Sequence, residues 1–531
     1  MNRGNSKWIV VALAFAVPLA FAAYTSHIWE DYFITLRFSR NLVEGHGLVF
    51  TPGERVHGFT SPLGVLLPAL FTWMTGPGAE ETAIWIFRLL NAGLLAAAAA
   101  MIWRRTETLG MGAVCRTLLF ALWLTEAKLT DFSINGMETA ILVFFVILLW
   151  SELEAPSGPR PAWVAAACAG LMWTRPDACI LGAALIVPHV VPWMRGDRPG
   201  AIAWAPLLKG IAIGGLIYLP WFAWAWWYYG SPVPHTITAK SVYVESHTLL
   251  GFVFTPLRTL AGASPFDGLF LPSYWATFRG DWPRDLMGYA HLLAVGVGFA
   301  WAFRVLSPAA RRASLALFIG SFYLGTINLF PWYLPPWTVL AIVALALAAD
   351  DLCRWAAKEG RRRARAAILT GCGIVVAVQA ALWCCVAWQA RVQQDLIENS
   401  GRKVVGEWLR VHAQPGDRVF LESLGYIGYY SRLKMYDYPG LCSPEVVAAI
   451  RAGESRFPQI VARLQPEWLA LRPREMDREG FVEQELLSRY RLAKVVTNKE
   501  QIDALSFLPG RRWLEFDSQF VVFERLDHAG R

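Results

Sequence analysis

Charged residues are scarce in this sequence of 531 residues: Asp, Glu, Lys and Arg make up only 17% of it, whereas apolar residues make up 55%. A soluble domain usually contains about 25% charged and about 45–50% apolar residues. The apolar residues also stand in long runs, as membrane-spanning helices require. The composition therefore excludes an ordinary soluble protein and predicts a polytopic α-helical membrane protein.

The sequence also lacks a disulfide framework, a zinc-binding spacing and a phosphate-binding loop. Of its eight cysteines, all but Cys442 fall in or beside apolar runs. Neither G-x-x-x-x-G-K nor a G-x-G-x-x-G after a strand occurs, which argues against nucleotide chemistry on the cytoplasmic side. The net charge of +8 is typical of basic cytoplasmic loops in a membrane protein, so we expect no nucleic-acid partner.

The apolar runs predict about eleven transmembrane helices. These cover approximately residues 8–26, 82–103, 112–128, 137–151, 162–174, 178–194, 203–229, 286–306, 313–330, 337–350 and 366–388. The run 62–76 is short and flanked by Gly and Pro, so we expect a re-entrant or juxtamembrane helix there. Without a crossing at 62–76, all five basic loops lie on the inner side, as the Lys and Arg bias demands. We therefore expect a transmembrane domain at 1–388, with a first outer loop at 27–81.

The composition changes in the tail, residues 389–531, where short apolar runs alternate with charged residues. Residues 418–422, 468–471 and 519–523 predict strands, and about 444–464 and 480–490 predict helices. We therefore expect a small C-terminal α/β domain on the extracytoplasmic side.

Two adjacent carboxylates, Glu30 and Asp31, follow the first apolar run at the point where the chain would leave the membrane. The predicted topology places the other unusual polar residues on the same outer side. An ordinary loop charge is one interpretation of each of them. Their position beside Gly, Pro and aromatic residues near the hydrophobic boundary favours function, because ionisable groups are costly there.

An enzyme with no cytoplasmic nucleotide site would need an energy-rich substrate that reaches the outer face through the membrane, such as a lipid-linked donor. Its chemistry would need a carboxylate general base, for which Asp31 is the candidate and Glu30 the second choice. It would also need cations for a leaving phosphate and an aromatic groove that excludes water. We expect the donor to contact Glu30, Arg37, Thr60, Glu138, Arg175, Asp177, His235, Lys240, Trp332 and Tyr333.

The stretch at 30–63 resembles a known family through the sequence EDYFITLRFSRNLVEGHGLVFTPGERVHGFTSPL. The family is the C-type (GT-C) integral-membrane glycosyltransferases, which use polyprenyl-phosphate sugars. The stretch is most similar to the branch typified by the terminal arabinofuranosyltransferase of mycobacterial cell-wall assembly. Further similar motifs are SINGMETA at 133–140, TRPDA at 174–178, GSPVPHTITAK at 230–240, PWYLPP at 331–336 and LESLGYIGYYSRLKMYDYPGL at 421–441.

The resemblance implies an inverting transferase whose catalytic carboxylate is Asp31. It implies that the loop with His235 and Lys240 faces the donor phosphate. The tail would help to seat the acceptor, with Glu422 and Asp437 as candidate contacts and surface charge as the alternative.

The resemblance further implies a bacterial inner-membrane protein with a periplasmic active site and tail. Its partners would be membrane lipid, a polyprenyl-phosphate donor with an arabinofuranose-like sugar, and a cell-envelope glycan or glycolipid acceptor. A divalent cation is possible, but no paired ligand spacing calls for one, so we assign no metal ligand.

Three alternatives remain open at this point. The transferred sugar could be 4-aminoarabinose or mannose, moved to lipid A, glycan or protein. The chain could be a lipid-linked sugar flippase or another transporter, which should place charges at mid-helix or use broken helices. The main charges within the predicted helices, Arg88 and Arg116, lie nearer to helix ends. The chain could also be a sensor that binds an extracytoplasmic ligand through its C-terminal tail. Such a sensor would need no catalytic site in the first outer loop.

Overall fold

The computed structural model of the chain describes residues 3–191, 194, 204–241, 248–262, 268–273, 284–327, 329–481 and 486–528. The chain divides into two compact units, which we describe separately. The helical unit comprises Met1–Tyr24, Phe87–Pro220 and Val244–Ala387. The mixed unit comprises Thr25–Ile86, Trp221–Tyr243 and Trp388–Arg531, so it combines the tail with parts of the chain that the sequence analysis assigns to the transmembrane domain.

The helices up to the start of the tail are, in chain order, α1 (Arg3–Thr25), α2 (Glu30–Val43), α3 (Pro62–Thr75), α4 (Glu80–Thr108), α5 (Ala113–Thr125), α6 (Ala127–Ile134), α7 (Thr139–Leu153), α8 (Pro161–Thr174), α9 (Ala178–Val190), α10 (Trp204–Tyr229), α11 (His235–Ser241), α12 (Leu249–Val253), α13 (Thr255–Leu260), α14 (Arg284–Gly298), α15 (Pro308–Leu324), α16 (Pro335–Lys358) and α17 (Arg362–Val392).

The chain is a multi-pass membrane protein, and each of the eleven expected spans contains a helix within the described residues. Within the part of the chain that the structure describes, six helices are long and apolar enough to cross a membrane, or seven if α6 and α7 form one span bent by 120°. Helices α3, α5, α8 and α9 are apolar but only 10–17 residues long, whereas a hydrocarbon core about 30 Å thick calls for about 20 residues. One of the five basic loops, at 195–200, lies outside the described residues.

The predicted helix 112–128 and the outer loop predicted after it are corrected by the structure. Helix α5 ends at Thr125, and the carboxylate of Glu126 then accepts a hydrogen bond from the Leu129 amide and starts α6. Residues 131–134 are therefore helical. The hydropathy pattern does not show this break, because a capping side chain can end one helix and start the next without changing the apolar content of the segment.

The helical unit is held together by apolar side chains from α4, α5, α7, α9, α15 and α16. Gly320 on α15 lets Trp337 on α16 approach closely, because a Cβ atom at Gly320 would lie 1.8 Å from the indole ring. Small residues allow such close approach between packed helices.

In the mixed unit, residues 30–43, which we expected to be loop, form α2. The expected short helix at 62–76 is present as α3: Ser61 caps it by accepting a hydrogen bond of 2.8 Å from the Gly64 amide, and Pro62 opens it. Helices α2 and α3 are joined by a hydrogen bond of 2.8 Å from the Ser39 hydroxyl to the Val65 carbonyl. The orientation of α3 to a bilayer stays a prediction.

Helix α17 continues past the expected domain boundary through a π-helical segment, Gln393–Arg402. The elements that follow are α18 (Lys403–His412), β1 (Arg418–Leu421), α19 (Gly425–Ser431), β2 (Lys434–Asp437), α20 (Pro444–Arg451), α21 (Phe457–Leu464), β3 (Trp468–Leu471), α22 (Pro473–Glu479), β4 (Tyr490–Thr497), α23 (Lys499–Asp503), α24 (Arg511–Phe516) and β5 (Gln519–Arg525).

The strands form one mixed sheet in the order β2-β1-β3-β5-β4. Strand β1 pairs in parallel with β2 and β3, and β5 pairs antiparallel with β3 and β4. The three predicted strands are confirmed as β1, β3 and β5, whereas β2 and β4 were missed. Of the helix predicted at 480–490, the structure shows a 3₁₀ helix at Leu486–Arg489, between the end of α22 at Glu479 and the start of β4 at Tyr490; residues 482–485 lie outside the described residues.

Candidate active site

The carboxylates Glu30 and Asp31 occupy the first turn of α2 in the mixed unit and are half-buried. Negative charge is favourable at a helix N-terminus. The Glu30 carboxylate accepts a hydrogen bond from the backbone amide of Gly425, which opens α19 in the tail. The predicted catalytic turn is thus attached to a tail residue 395 positions away in the sequence.

Burial and neighbouring charge set the protonation of this pair. Burial raises the pKa of Asp31, whereas the charge of Lys240 and a hydrogen bond with Glu30 lower it without cancelling the rise. Burial raises the pKa of Glu30 well above its ordinary value; Arg402 lowers it and Asp31 raises it further. Two adjacent carboxyl groups in such surroundings do not ionise independently.

An ionic network lies in the same unit, and its charges act on the pair. The Arg402 guanidinium lies 2.6 Å from both a Glu398 oxygen and an Asp517 oxygen. Arg472 lies 2.6 Å from the other Asp517 oxygen and also pairs with Glu475 and Glu422. Of the six residues in this network, the sequence analysis singled out only Glu422. The i,i+4 spacing of Glu398 and Arg402 is the sequence feature that could have indicated an ion pair here.

Helix α11 carries the two predicted donor-phosphate residues, His235 and Lys240. Lys240 acts on Asp31 through its charge. The His235 amide donates a hydrogen bond of 2.8 Å to the carbonyl of His57. The His57 ring stacks on Tyr229, with centroids 4.5 Å apart, and burial lowers its pKa to about 4, so the ring is neutral. We had not singled out His57, although it lies within the first-loop motif.

Arg37 and Asp437 have structural contacts away from the carboxylate pair. Arg37 donates to the carbonyls of Gly428 and Leu433 at 2.7 and 2.8 Å. Asp437 is fully buried and accepts hydrogen bonds from the amide of Cys442, at 3.0 Å, and from neighbouring groups of the same turn. These contacts favour structural roles for both residues.

Thr60 and Glu422 keep exposed surface. Thr60 is half-buried and directly precedes the cap of α3. Glu422 leaves 41% of its side chain exposed while it pairs with Arg472. Their predicted substrate contacts stay predictions.

In the helical unit, a second group of predicted residues meets around Arg175, which ends α8. The Arg175 guanidinium donates to both Asp177 oxygens at 3.0 and 3.1 Å, lies 3.5 Å from Glu138 and covers the Tyr333 ring at 4.3 Å. Burial alone would raise the pKa of Asp177, but Arg175 and the Tyr323 hydroxyl lower it below its ordinary value. Asp177 is therefore the ionised partner of Arg175.

Trp332 lies beside this group and stacks on Phe330, with ring centroids 4.7 Å apart. Five of the ten predicted donor contacts, namely Glu138, Arg175, Asp177, Trp332 and Tyr333, therefore lie close together in the helical unit. Their contact with a donor stays a prediction, because Arg175 already has two carboxylate partners.

The carboxylate pair can take up a proton, and Lys240 supplies a nearby positive charge. Within the described part of the chain, no three His, Cys, Asp or Glu side chains come together as a metal-ligand set. The chemistry that these residues themselves can perform is therefore proton transfer next to a cation.

Replacing Gly425 by Ala is expected to disturb the carboxylate pair. A Cβ atom there would lie 2.0 Å from the Glu30 carbonyl oxygen, and overpacking of this kind costs about 1–3 kcal/mol. We expect a lower melting temperature, measured in detergent by tryptophan fluorescence. The control is Gly373→Ala in α17, where the added methyl group meets open space. Equal melting temperatures for the two variants would contradict the contact.

Residues 388–517 match a family model described as a domain of unknown function, DUF8728.

The chain is similar to the terminal beta-(1->2)-arabinofuranosyltransferase of Mycobacterium tuberculosis, with 27% identity over 258 residues, which cover 44% of this chain and 38% of that protein. The enzyme of the same name from Corynebacterium glutamicum is 27% identical over 254 residues, covering 42% and 34%. The human GPI alpha-1,2-mannosyltransferase 3 is 25% identical over 189 residues, covering 35% and 34%. The chain spans less than two fifths of the length of these curated relatives.

Two solved structures share the fold. The crystal structure of ArnT from Cupriavidus metallidurans bound to undecaprenyl phosphate superposes with a TM-score of 0.54 at 14% identity, covering 98% of both chains. The cryo-EM structure of the arabinofuranosyltransferase AftD from Mycobacteria gives a TM-score of 0.52 at 15% identity, covering 97% of this chain and 40% of that one. The chain therefore has the GT-C glycosyltransferase fold, and its sequence is similar to that of the arabinofuranosyltransferase branch.

Proposed function

We propose that this protein is an inverting glycosyltransferase that moves a sugar from a polyprenyl-phosphate donor to a cell-envelope glycan or lipid on the outer face of the inner membrane. The observation that carries the proposal is the half-buried Asp31 in the first turn of α2, whose pKa burial raises and the charge of Lys240 lowers. A carboxylate whose pKa is raised toward the working pH is a better general base than an exposed one.

In this mechanism Asp31 removes the proton from the attacking hydroxyl group of the acceptor. The hydroxyl oxygen forms a bond to the anomeric carbon of the donor sugar, and the bond from that carbon to the phosphate oxygen breaks. The polyprenyl phosphate leaves with the electron pair, and Lys240 neutralises its charge. Attack opposite the leaving group inverts the anomeric configuration.

The similarity to terminal arabinofuranosyltransferases supports an arabinofuranose-like sugar. The fold shared with ArnT, whose structure holds undecaprenyl phosphate, supports a polyprenyl-phosphate carrier. ArnT and the similarity to a mannosyltransferase keep other sugars, including 4-aminoarabinose and mannose, as alternatives.

A donor panel tests the proposal. Purified protein in lipid nanodiscs would be incubated with a glycan acceptor and, in parallel, with polyprenyl-phosphate arabinofuranose, 4-aminoarabinose and mannose. We expect transfer from the arabinofuranose donor, detected by mass spectrometry, and an inverted linkage by NMR.

A flippase would behave differently in the same preparation. It would move a fluorescent lipid-linked sugar across proteoliposomes without any glycosylated product. That outcome, or the absence of product with every donor, would contradict the transferase proposal.

A further inference from the structure

We propose that a cavity in the helical unit binds an anionic acyl lipid whose chain carries a hydroxyl group, and that Gln379 on α17 recognises this group. The cavity lies between α14, α16 and α17 and has a volume of about 770 Å³. Binding of such a lipid goes beyond the proposed transferase function and does not require it.

The cavity is elongated and runs beside α16. At one end it is lined by segment 270–271, and the Thr338 hydroxyl donates a hydrogen bond of 3.0 Å to the carbonyl just before this segment. At the other end it is lined by segment 305–306, and the amide just after that segment donates a hydrogen bond of 2.8 Å to Asp351. These two levels of α16 lie about 20 Å apart, a length that suits a linear acyl chain.

The cavity opens at the surface of the helical unit. Tyr289 and Leu292 on α14 line it and are each 70% exposed, and the lining residues Phe303 and Ile374 are exposed as well. A lipid chain can therefore enter from the bilayer. Apolar contacts alone do not select one lipid over another, because lipid tails are as apolar as leucine. Selection requires a polar group inside the cavity.

Gln379 supplies such a polar group. It lines the cavity near the middle of α17 and is only 7% exposed. Its Oε1 atom has no hydrogen-bond partner among the described residues. An unpaired polar atom is costly in apolar surroundings, and polar side chains inside membrane spans are as a rule functional. The amide therefore indicates a ligand that brings it a partner.

The walls of the cavity do not offer that partner. Among the described lining residues, Tyr289 is the other one with a polar side-chain group, and it makes no hydrogen bond to Gln379. A buried water molecule needs about two to four polar partners, and cavities with apolar walls stay dry. A ligand with its own polar group is thus the best match for this site.

A hydroxyl group matches the Gln379 amide in both directions. The amide oxygen accepts a hydrogen bond and the NH2 group donates one, and a hydroxyl group can do the same. The chain of a polyprenyl phosphate is a pure hydrocarbon, and the ester groups of a phospholipid lie at the membrane interface. A hydroxyl group on an acyl chain, in contrast, reaches the middle of a membrane-spanning helix.

Arg304 marks the end of the cavity at which the lipid headgroup lies. It stands between the lining residues Phe303 and Val305, and its side chain is exposed. Across the described part of the chain it forms no ion pair. A guanidinium group in this position pairs well with a carboxylate or phosphate headgroup, while the chain extends along α16 towards segment 270–271.

Competition between two fatty acids tests the site in the purified full-length protein. The probes are 12-hydroxystearate and stearate, which differ only in the hydroxyl group. Native mass spectrometry of the protein released from detergent separates the two complexes by the mass of one oxygen atom. We expect wild type to bind 12-hydroxystearate about tenfold more tightly, as one or two additional hydrogen bonds provide.

Three variants locate the preference. Gln379→Leu should bind the two probes equally and should melt no lower than wild type, because it removes an unpaired polar group from an apolar site. The matched control is Gln389→Leu on the same helix: Gln389 is also buried but already donates a hydrogen bond of 3.2 Å to the Gly510 carbonyl, so the preference should persist. Ala348→Phe places a ring in the cavity and should weaken the binding of both probes.

Three outcomes would overturn the proposal. Equal binding of the two probes by wild type would mean that the cavity does not recognise a hydroxyl group. A preference that persists in Gln379→Leu would place the recognition elsewhere. Displacement of 12-hydroxystearate by decaprenyl phosphate would mean that the cavity holds a polyprenyl chain instead. Because none of these measurements involves sugar transfer, they decide the lipid site even if the transferase function fails.

Discussion

Replacing Asp31 by Asn is expected to lower sugar transfer by about 10²- to 10⁴-fold, the usual contribution of a general acid or base.

The Asp31→Asn variant should still fold. Because the pKa of Asp31 is raised in the folded state, the ionised carboxylate destabilises the fold at neutral pH. Its contribution to stability therefore falls as pH rises from the ordinary value of about 3.9 through the raised folded-state pKa. The Asn variant should consequently melt at the same temperature as wild type or higher, by tryptophan fluorescence in detergent.

The pH–rate profile of the wild-type protein also tests whether Asp31 is the base. The base must be ionised, so activity should fall as pH falls through the raised pKa of Asp31, and this acid limb should lie above the ordinary aspartate range. The matched control is Asp527→Asn, a change of the same kind at a side chain in the same unit that is 75% exposed. Equal transfer rates for Asp31→Asn and Asp527→Asn would exclude Asp31 as the base.

Replacing Arg402 by Met is expected to destabilise the mixed unit by about 3–5 kcal/mol, the usual cost of removing one partner from a buried ion pair. The substitution leaves the fully buried Glu398 without its cation and removes one of the two cations on Asp517. The same loss should move the acid limb of activity to higher pH, because the charge of Arg402 lowers the pKa of both Glu30 and Asp31. Thermal melting and the pH–rate profile measure the two effects.

Arg391→Met supplies the control on the same long helix. Arg391 lies 2.8 Å from Asp395, but both side chains are nearly half exposed, and exposed pairs contribute about 0–1 kcal/mol. If Arg402→Met melted no lower than Arg391→Met, methionine packing would offset the lost ion pairs, and the network would not stabilise this unit.

The sequence predicted well where one local property decides the outcome. Apolar runs located a helix for each of the eleven expected spans, because transfer of a segment into hydrocarbon depends mainly on its own side chains. Short apolar runs between charged residues likewise identified β1, β3 and β5. Strand β4 was missed because it lies at the sheet edge and carries the charged residues Arg491 and Lys494, which weaken the apolar pattern.

The roles of individual polar residues were harder to predict. Arg37 and Asp437 are predicted substrate contacts, and in the structure both hydrogen-bond to backbone groups of the tail; their contact with a substrate stays a prediction. The residue types that bind substrates also cap turns and pair with buried carbonyls. Only the positions of their partners distinguish these uses.

For Glu30 and Asp31, the sequence by itself determined that two carboxylates stand together where the chain leaves its first apolar run. Only the tertiary structure decided that Glu30 meets Gly425, that Arg402 and Glu422 act on the pair, and that Lys240 favours ionisation of Asp31. The physical reason is that a pKa depends on burial and on charges within a few ångströms. In this chain those charges come from residues about 200 to 400 positions further along, so no local pattern could reveal them.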